Sequence, residues 1–577
     1  MEATSSRPKP KRIRPPKPRT QPLKRGRACL NCRHLKIRCD GIHPVCGNCA
    51  RVPKEEPCKF TDPLSKNNFN VGNDIAGSSR SPSLGVVDES PDYSSAGIEF
   101  STPKSSFSEI SSDAQSESHS NHSLVEEPSF ETIQLLLQYF LPHAAQLGFF
   151  LHIDRFRNSA LVPQIPFGDI LRPSHSLLYA VYLWGAHLSQ SGPLFDLKSA
   201  FLSRALQAIS TETCVHRDSI HAIQTIQAHV LLANYFFLLR SFLAAQLHAN
   251  AAATLVLGYR LHKLGSAPPP ASSIRNSELP PFDAYLTPAQ DSVEEGERVR
   301  CFWAVVSLQA NLNLASDSPT SLSSCLLESS GTEIDTPWPM QNAEYELQPG
   351  YSAADNYGGE VIKRFLGDEL SSIQIPVSHV QASVLLHRAS RFAASWSSNL
   401  QPTELSSYTN CYTWLDRRIS RFWDTLPPVY PSADPDLVLT HALVAAASIK
   451  LHQPFSALDP AAQSKCLASA RAIIRFLGDT TANNPASAHH ANPVHGAICA
   501  LACRVLVDEI QRTRVVWAEW SQTLDVQTLP AGEQESMLLL NLQEGMRIMG
   551  KYAAGSPLAE HQLAEIQRQY NSHYEIL

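Results

Sequence analysis

The sequence lacks a run of apolar residues long enough to cross a membrane. No stretch reaches the roughly 18 uninterrupted apolar residues that such a span needs. The best candidate, HVLLANYFFLLRSFLAAQL, is interrupted by Asn234 and Arg240. The N-terminus is basic and proline-rich without an apolar segment behind it, so it does not resemble a secretory signal. We therefore expect no membrane partner, and a reducing compartment.

The sequence signatures of common enzyme classes are also missing. There is no H-E-x-x-H, no G-x-S-x-G, no P-loop and no glycine-rich dinucleotide fingerprint. These absences argue against a zinc protease, a serine hydrolase, a P-loop nucleotidase and a dinucleotide-dependent oxidoreductase. The sequence predicts that the protein is not an enzyme.

Cysteine is scarce except in one short segment. Six of the 13 cysteines follow the pattern Cys29-x2-Cys32-x6-Cys39-x6-Cys46-x2-Cys49-x8-Cys58. The pattern repeats one unit, in which a C-x2-C pair is followed by a third cysteine. In a reducing compartment, such a cluster indicates metal binding rather than disulfides.

The number of ligands predicts two bridged zinc ions. Each unit offers three thiolates, whereas a structural zinc ion takes four tetrahedral ligands. Two ions need eight ligand positions, and six cysteines fill them if one cysteine of each unit binds both metals. Three alternatives remain open: separate three-cysteine sites completed by His34 or His43, a disulfide framework, and chance clustering of structural cysteines.

Residues 29–58 resemble the fungal zinc binuclear cluster, the Zn2Cys6 DNA-binding domain. CRHLKIRC matches its basic first helix and CDGIHPVC its proline-containing loop. The resemblance implies two short helices around two zinc ions, with Cys29 and Cys46 as bridges. One zinc would take Cys29, Cys32, Cys39 and Cys46, and the other Cys46, Cys49, Cys58 and Cys29. A module of about 30 residues cannot build a sufficient apolar core, so the metals would replace one.

The same resemblance implies a role for the basic residues between Cys32 and Cys39. It assigns Lys36 to the guanines of a CGG-type triplet, whose O6 and N7 atoms accept hydrogen bonds in the major groove. Arg33 and Arg38 are expected on phosphates. Solvated surface charges are the alternative interpretation. Leu35 stands where the family often has a second basic residue, so we expect weak binding by a single module.

Positive charge is concentrated at the N-terminus. Residues 1–60 contain 16 Lys and Arg against 4 Asp and Glu, while the rest contains 32 against 50. This asymmetry predicts a polyanionic partner for residues 1–60 alone, and the resemblance implies that this partner is double-stranded DNA. Prolines keep the arm 1–27 extended, and its basic residues suit a nuclear localisation signal or contact with the DNA backbone. A solubilising tail is the alternative.

A serine-rich segment separates the cysteine cluster, taken as 28–60, from a helical body. Residues 61–130 contain 19 serines and no heptad repeat, which predicts a disordered linker without a coiled coil. From 131 to 555, apolar residues recur at helical spacing, as in SHSLLYAVYLWGAHLSQ, and predict an all-α domain. Breaks are expected at 264–290 and at 316–375, the second partly disordered. Residues 556–577 are predicted to form a C-terminal helix or tail.

The helical body resembles the fungal-specific transcription factor domain. The matching pieces are AAATLVLGYRLH, EEGERVRCFWAVVSLQANLNLA, IDTPWP, IKLHQPF and NPVHGAICALACRVLV. Cys301 departs from the more common double-aromatic form of the second piece. The resemblance implies a regulatory domain that acts through co-regulators or a small-molecule effector.

Cysteines in the body offer one further candidate metal site. His495, Cys499 and Cys503 share a helix face, with His489 and His490 nearby, but their small apolar neighbours favour an ordinary packed helix. The remaining lone cysteines are interpreted as core or loop residues: Cys214, Cys301, Cys325, Cys411 and Cys466.

Taken together, these features predict a nuclear, zinc-dependent, sequence-specific regulator of RNA polymerase II genes, either a monomer or a homodimer. One alternative is a helical enzyme or metabolite-binding protein with a zinc-cluster tether. Another is a zinc scaffold for protein partners.

Overall fold

In the computed structural model, the chain divides into two compact units, Met1–Ser118 and His119–Leu577. The structure describes residues 29, 32, 37, 39–40, 45–51, 58, 127–162, 169, 171–190, 192–212, 219–266, 286–316, 334–353, 361–367, 378–397, 401–430, 434–483, 492–521 and 531–572. The predicted basic arm and residues 61–126 of the predicted linker lie outside these ranges.

The described residues form α-helices and short 3-10 helices but no strand. Helix α1 (Gly47–Arg51) belongs to the first unit. The second unit contains α2 (Phe130–Phe140), α3 (Ile153–Ala160), α4 (His175–Leu188), α5 (Pro193–Asp196), α6 (Lys198–Glu212), α7 (Ser219–Leu238), α8 (Phe242–Gly258), α9 (Ser292–Ser316), α10 (Asn342–Glu346), α11 (Val361–Leu366), α12 (His379–Ala394), α13 (Pro402–Thr425), α14 (Pro435–His452), α15 (Pro460–Asn483), α16 (Val494–Ser521), α17 (Ala531–Ala553) and α18 (Pro557–Ser572). The 3-10 helices are Leu141–His143, Ala145–Leu147, Leu261–Lys263 and Gln453–Phe455. The predicted all-α class of the body is confirmed.

Helix α4 is the centre of the first half of the body. It packs against α2, α6 and α7, and twelve of its 14 residues are buried. Its apolar positions run around the whole helix, as expected for a helix enclosed by others. The Trp184 indole N–H donates to the Leu231 carbonyl on α7 at 3.0 Å.

Gly185 sets how closely α2 and α4 approach. A Cβ atom at this position would lie 2.5 Å from the Leu136 carbonyl oxygen on α2. That distance is far inside van der Waals contact and involves backbone, which cannot rotate away. The helices therefore cross at a point where only glycine fits.

The body begins a few residues before the expected boundary at 131. Ser129 caps α2 by accepting a hydrogen bond from the Thr132 N–H at 3.3 Å. Glu127 accepts a hydrogen bond from Arg172 at 2.8 Å, and the Arg172 side chain is almost fully buried. Residues 127–130 of the predicted linker are thus part of the helical body.

The second half of the body is a stack in which neighbouring helices pack in the order α9, α12, α14, α15 and α16. Helices α12 and α14 run parallel because α13 returns the chain between them. Their first turns meet where His379 pairs with Asp436. Ser378 and Gln381 form a capping box at the start of α12, and Asp434 caps α14.

An ion cluster joins α13, α14 and α15. Both carboxylate oxygens of Asp416 accept from Lys465 Nζ at 2.6 Å. Nε2 of His452 lies 3.1 Å from Asp416 Oδ1. The hydrogen bond with His452 has the largest effect on the pKa of the Asp416 carboxyl. Burial acts to raise this pKa, but His452 and Lys465 together lower it to about 2.

The second predicted break, 316–375, is partly structured. Ile334, Asp335 and Thr336 are buried, and Thr336 Oγ1 donates to the Leu261 carbonyl at 2.5 Å. The Trp303 indole N–H donates to the Pro337 carbonyl, and the Trp303 and Trp338 rings stack. The sequence of this segment has no helical or strand periodicity, but contacts with α9 and with the turn after α8 hold it in place.

The chain ends in three packed helices, α16, α17 and α18. Helix α18 lies within residues 556–577, the segment predicted to form a C-terminal helix or tail. Within the described residues, no helix combines the length and apolar character that a membrane span requires.

Candidate metal centre

The six clustered cysteines meet at one point in the first unit. Five of them are buried and Cys58 is half-buried. The large apolar side chains described in this unit, Ile37 and Val45, are 44% and 45% exposed, and Ala50 is exposed as well. The described part of the unit therefore has a core made of thiols rather than of hydrocarbon side chains.

The two C-x2-C pairs have the same local geometry. The Cys32 N–H donates to Cys29 Sγ at 3.4 Å, and the Cys49 N–H donates to Cys46 Sγ at 3.4 Å. In each pair this contact holds the second cysteine against the thiol of the first. The Cys46 N–H also donates to Cys58 Sγ at 3.4 Å, which draws the last cysteine to the others.

The thiols form two groups of four that share two members. One group is Cys29, Cys32, Cys39 and Cys46, and the other is Cys29, Cys46, Cys49 and Cys58. Within each group, all sulfur atoms lie within 4.8 Å of one another.

The sulfur spacing suits tetrahedral zinc. Four sulfurs about 2.3 Å from one zinc ion would lie about 3.8 Å apart. The Cys29–Cys46 and Cys32–Cys46 sulfur distances are 3.6 Å, and the Cys29–Cys49 distance is 3.8 Å. An all-thiol donor set is also what a structural zinc site uses.

Crowding perturbs the thiols in opposite directions. Burial raises the pKa of Cys29, Cys32 and Cys49. Burial also acts to raise the pKa of Cys46, but the hydrogen bonds from Cys49 and the neighbouring thiols lower it to about 6. Most of these crowded thiols therefore resist ionisation without a counter-charge, and a cation at their centre would stabilise the thiolates.

Residues 27–67 match the family of the fungal Zn(2)-Cys(6) binuclear cluster domain. They form a zinc binuclear cluster domain. The domain binds two zinc ions, which confirms the predicted cofactor, and the presence of a small zinc unit and an all-α body in one chain confirms the predicted fold class.

Two relatives are similar along most of the chain. The citrinin biosynthesis transcriptional activator ctnR of Monascus purpureus is 24% identical over 546 residues, covering 84% of this chain and 87% of the relative. The citrinin biosynthesis transcriptional activator mrl3 of Monascus ruber is 24% identical over 530 residues, covering 82% and 96%. The transcriptional activator protein acu-15 of Neurospora crassa is 51% identical over 47 residues, which are 8% of this chain and 5% of that protein. No solved structure matches the chain significantly.

The cluster domain and the names of these relatives indicate a DNA-binding transcription regulator and not an enzyme. The prediction that the protein is not an enzyme is confirmed on these grounds. The alternative of a helical enzyme tethered by a zinc cluster is set aside.

Several predicted site residues lie outside the described residues. They are the three basic residues assigned to DNA and the histidines weighed as outside ligands: Arg33, Lys36, Arg38, His34 and His43. Cys214, Cys325, His489 and His490 also lie outside them.

The second candidate metal site, on α16, is an ordinary packed helix face. His495, Cys499 and Cys503 are all buried. Nδ1 of His495 lies 3.0 Å from the Asn492 carbonyl oxygen, and Cys499 Sγ donates to the Gly545 carbonyl on α17 at 3.6 Å. Among the described residues, only the two cysteine groups of the first unit bring three or more potential ligands together.

The other described lone cysteines differ in exposure. Cys301 and Cys466 are buried in the core, as expected. Burial raises the pKa of the Cys301 thiol well above its usual value, and the nearby charge of Glu297 adds to this. Cys411 is exposed on α13 and is neither a core nor a loop residue. The interpretation of Cys411 was wrong because α13 presents this side chain to solvent.

Proposed function

We propose that the protein is a nuclear, zinc-dependent regulator that reads CGG-type triplets in genes transcribed by RNA polymerase II. The observation that carries this proposal is the pair of four-thiol groups that share Cys29 and Cys46 in a zinc binuclear cluster domain. Two metal ions bound by six cysteines would give a small DNA-reading module a fixed shape without an apolar core.

We assign each zinc ion to one group of thiols. The first would be bound by Cys29, Cys32, Cys39 and Cys46, and the second by Cys29, Cys46, Cys49 and Cys58. The 3.6 Å distance between the sulfurs of Cys29 and Cys46 supports this assignment, because a shared pair must lie within reach of both metals.

We assign base reading to Lys36 and phosphate contacts to Arg33 and Arg38. Lys36 lies four residues after Cys32 and three residues before Cys39, so the two cysteines that we assign to the first zinc ion bracket it closely. A lysine ammonium can donate to both O6 and N7 of guanine. The arginines would add affinity without reading sequence, and the basic arm 1–27 would add nuclear import and further phosphate contacts.

The direction of regulation is proposed from the relatives, whose names describe transcriptional activators. We infer that this protein also activates transcription. At 24% identity, the pathway named for the Monascus proteins does not carry over to this chain. The helical body would adjust activity through co-regulators or a small-molecule effector.

The test is an in-vitro selection of DNA by the full-length, zinc-loaded protein, followed by titrations with variants. Selection should enrich CGG-type triplets. Lys36→Ala should weaken binding to the selected site by about 1–3 kcal/mol and change binding to random duplex little. Arg38→Ala should weaken both alike and reduce the salt dependence by about one counterion.

Lys54→Ala is the matched control, because it removes a lysine from the second cysteine unit. It should not change the preference for the selected site over random DNA. Equal losses for Lys36→Ala on both DNAs would show that Lys36 contacts phosphate, and another residue would have to read the bases. Failure to enrich any sequence would favour a zinc scaffold for protein partners.

A further inference from the structure

Two histidines meet inside the first half of the helical body. His229 lies on α7 and His248 on α8, and their Nδ1 atoms are 3.0 Å apart. The two residues are only 6% and 5% exposed. A hydrogen bond between two imidazole nitrogens needs a proton on one of them and a lone pair on the other. The pair therefore joins α7 to α8 only while the accepting nitrogen carries no proton.

The second ring nitrogen of His229 makes the pair sensitive to a further proton. His229 Nε2 is buried and has no hydrogen-bond partner among the described residues. A proton on this atom would be a buried donor without an acceptor, and such a group costs its full desolvation penalty. A proton on the accepting Nδ1 atom would instead place two N–H groups against each other. Either position is unfavourable while α7 and α8 stay packed.

The helices around the pair offer no counter-charge. Helices α4, α7 and α8 together contain no Asp, Glu, Lys or Arg. Helix α9 carries its charged residues only between 294 and 300, whereas α8 meets α9 at Gln309, whose Oε1 accepts from Gln246 Nε2 at 3.2 Å. The other charged or titratable residues of the elements packed against α7 and α8 are Lys198, Arg204 and Glu212 of α6, His175, Tyr179, Tyr182 and His187 of α4, His221 and Tyr235 of α7, His262 and Lys263 after α8, and Glu560, His561, Glu565, Arg568 and Tyr570 of α18.

Burial keeps both rings neutral well below the pH at which histidine ordinarily titrates. Burial, together with the charge of His248, lowers the pKa of His229 to about 3. Burial also lowers the pKa of His248 to about 4. Among the described groups, no carboxylate acts on either ring. In an opened, solvated chain both rings would titrate near pH 6.5.

These two pKa values fix the sign of the pH dependence. Between about pH 6.5 and pH 4, the opened state binds protons that the packed state does not bind. The packing of α8 on α7 therefore has its full strength above about pH 6.5 and loses it as the pH falls.

We propose that the His229–His248 pair is an acid-sensitive latch that releases α8 from α7 when the pH falls below about 6. Opening takes up two protons, one for each ring. Helix α8 is the element that can move, because Leu243 and Leu247 on its outer face are exposed, whereas α7 is enclosed by its neighbours. The proposal goes beyond the proposed function and rests on it only for its regulatory meaning, which is that acidification would loosen the body of a transcription regulator.

Hydrogen exchange measured by mass spectrometry tests the latch on the full-length, zinc-loaded protein without DNA. Peptides from α8 are followed at pH 7.0, 6.5 and 5.5, after correction for the intrinsic pH dependence of amide exchange. Each histidine should raise the opening equilibrium constant about fivefold between pH 6.5 and pH 5.5, so the pair should raise it about 30-fold.

The variants separate the histidine pair from other effects of acid. His229→Gln together with His248→Gln keeps two side chains that can hydrogen-bond but cannot take up a proton. This double variant should keep α8 protected at pH 7 and abolish the pH dependence. His248→Phe leaves one titrating ring and should retain a rise of about fivefold. His561→Gln, at an exposed position on α18, is the matched control and should retain the full rise.

Three outcomes would overturn the proposal: no change of α8 protection with pH in the natural protein, an undiminished response in the double variant, or a lost response in the His561 control. If the double variant does not fold, His248→Phe decides, because an undiminished response there also contradicts the latch. The α8 peptides report on the second unit and no DNA is present, so a failure here is distinct from a failure of DNA reading.

Discussion

Replacing Cys46 by serine should remove zinc from both metal sites, whereas replacing Cys58 should disturb only one. The two groups of four thiols provide eight ligand positions, and Cys46 occupies two of them. Cys58 occupies one. We expect two zinc ions per chain for the natural sequence, about one for Cys58→Ser and fewer than one for Cys46→Ser.

The energetic consequence follows from the composition of the unit. A structural zinc ion contributes about 10–16 kcal/mol of apparent binding free energy near pH 7. The described residues of the unit bury thiols, whereas Ile37 and Val45 remain 44% and 45% exposed. Little apolar burial is therefore available to replace the metals, and Cys46→Ser should unfold the unit and abolish DNA binding.

Elemental analysis of the purified full-length protein measures the zinc content, and a titration with DNA measures the functional loss. Circular dichroism is a poor readout because the helices of the body dominate the signal. Cys411→Ser is the matched control, since it replaces an exposed thiol on α13 and should retain both zinc ions. A natural stoichiometry of one, or equal zinc loss in Cys46→Ser and Cys58→Ser, would refute the shared arrangement.

Three further predictions concern the arm and the body. Deleting residues 1–19 should reduce nuclear accumulation of a tagged protein, and unchanged localisation would assign import to other residues. Gly185→Ala should destabilise the body by about 1–3 kcal/mol in thermal unfolding, because the new methyl group meets the Leu136 carbonyl; Gly258→Ala, where a Cβ meets nothing, should not destabilise it. Asp416→Asn should lower the free energy of unfolding by about 2 kcal/mol at pH 7. The difference in unfolding free energy between the variant and the natural protein should shrink as the pH falls from about 4 towards 2, because the folded-state pKa of Asp416 lies below its ordinary value.

The cysteine cluster could be predicted from sequence because its information is local. Six ligands lie within 30 residues, and their spacing alone limits how they can be shared between metals. The helices of the body were also predictable, since apolar residues at helical spacing indicate a helix whatever it packs against. The face of α16 was correctly interpreted as packed because its neighbours are small and apolar.

Features that depend on distant contacts were not predictable. The segment from Ile334 to Trp338 lacks regular periodicity, and it is held by Leu261 and Trp303, which are more than 30 residues away. The surface between α9, α12 and α14 joins residues from Asn313 to Pro454, which no local pattern connects. Only the packing order of α9, α12 and α14 brings them together.

The two shared thiols also determine how the domain should respond to limiting zinc. Filling one group fixes Cys29 and Cys46, and these are half of the ligands of the other group. The second ion then meets a partly organised site and binds more readily than the first, so half-loaded molecules should be rare. With too little metal, the population would divide into empty and fully loaded chains. DNA occupancy would then rise steeply over a narrow range of free zinc, in the manner of a threshold.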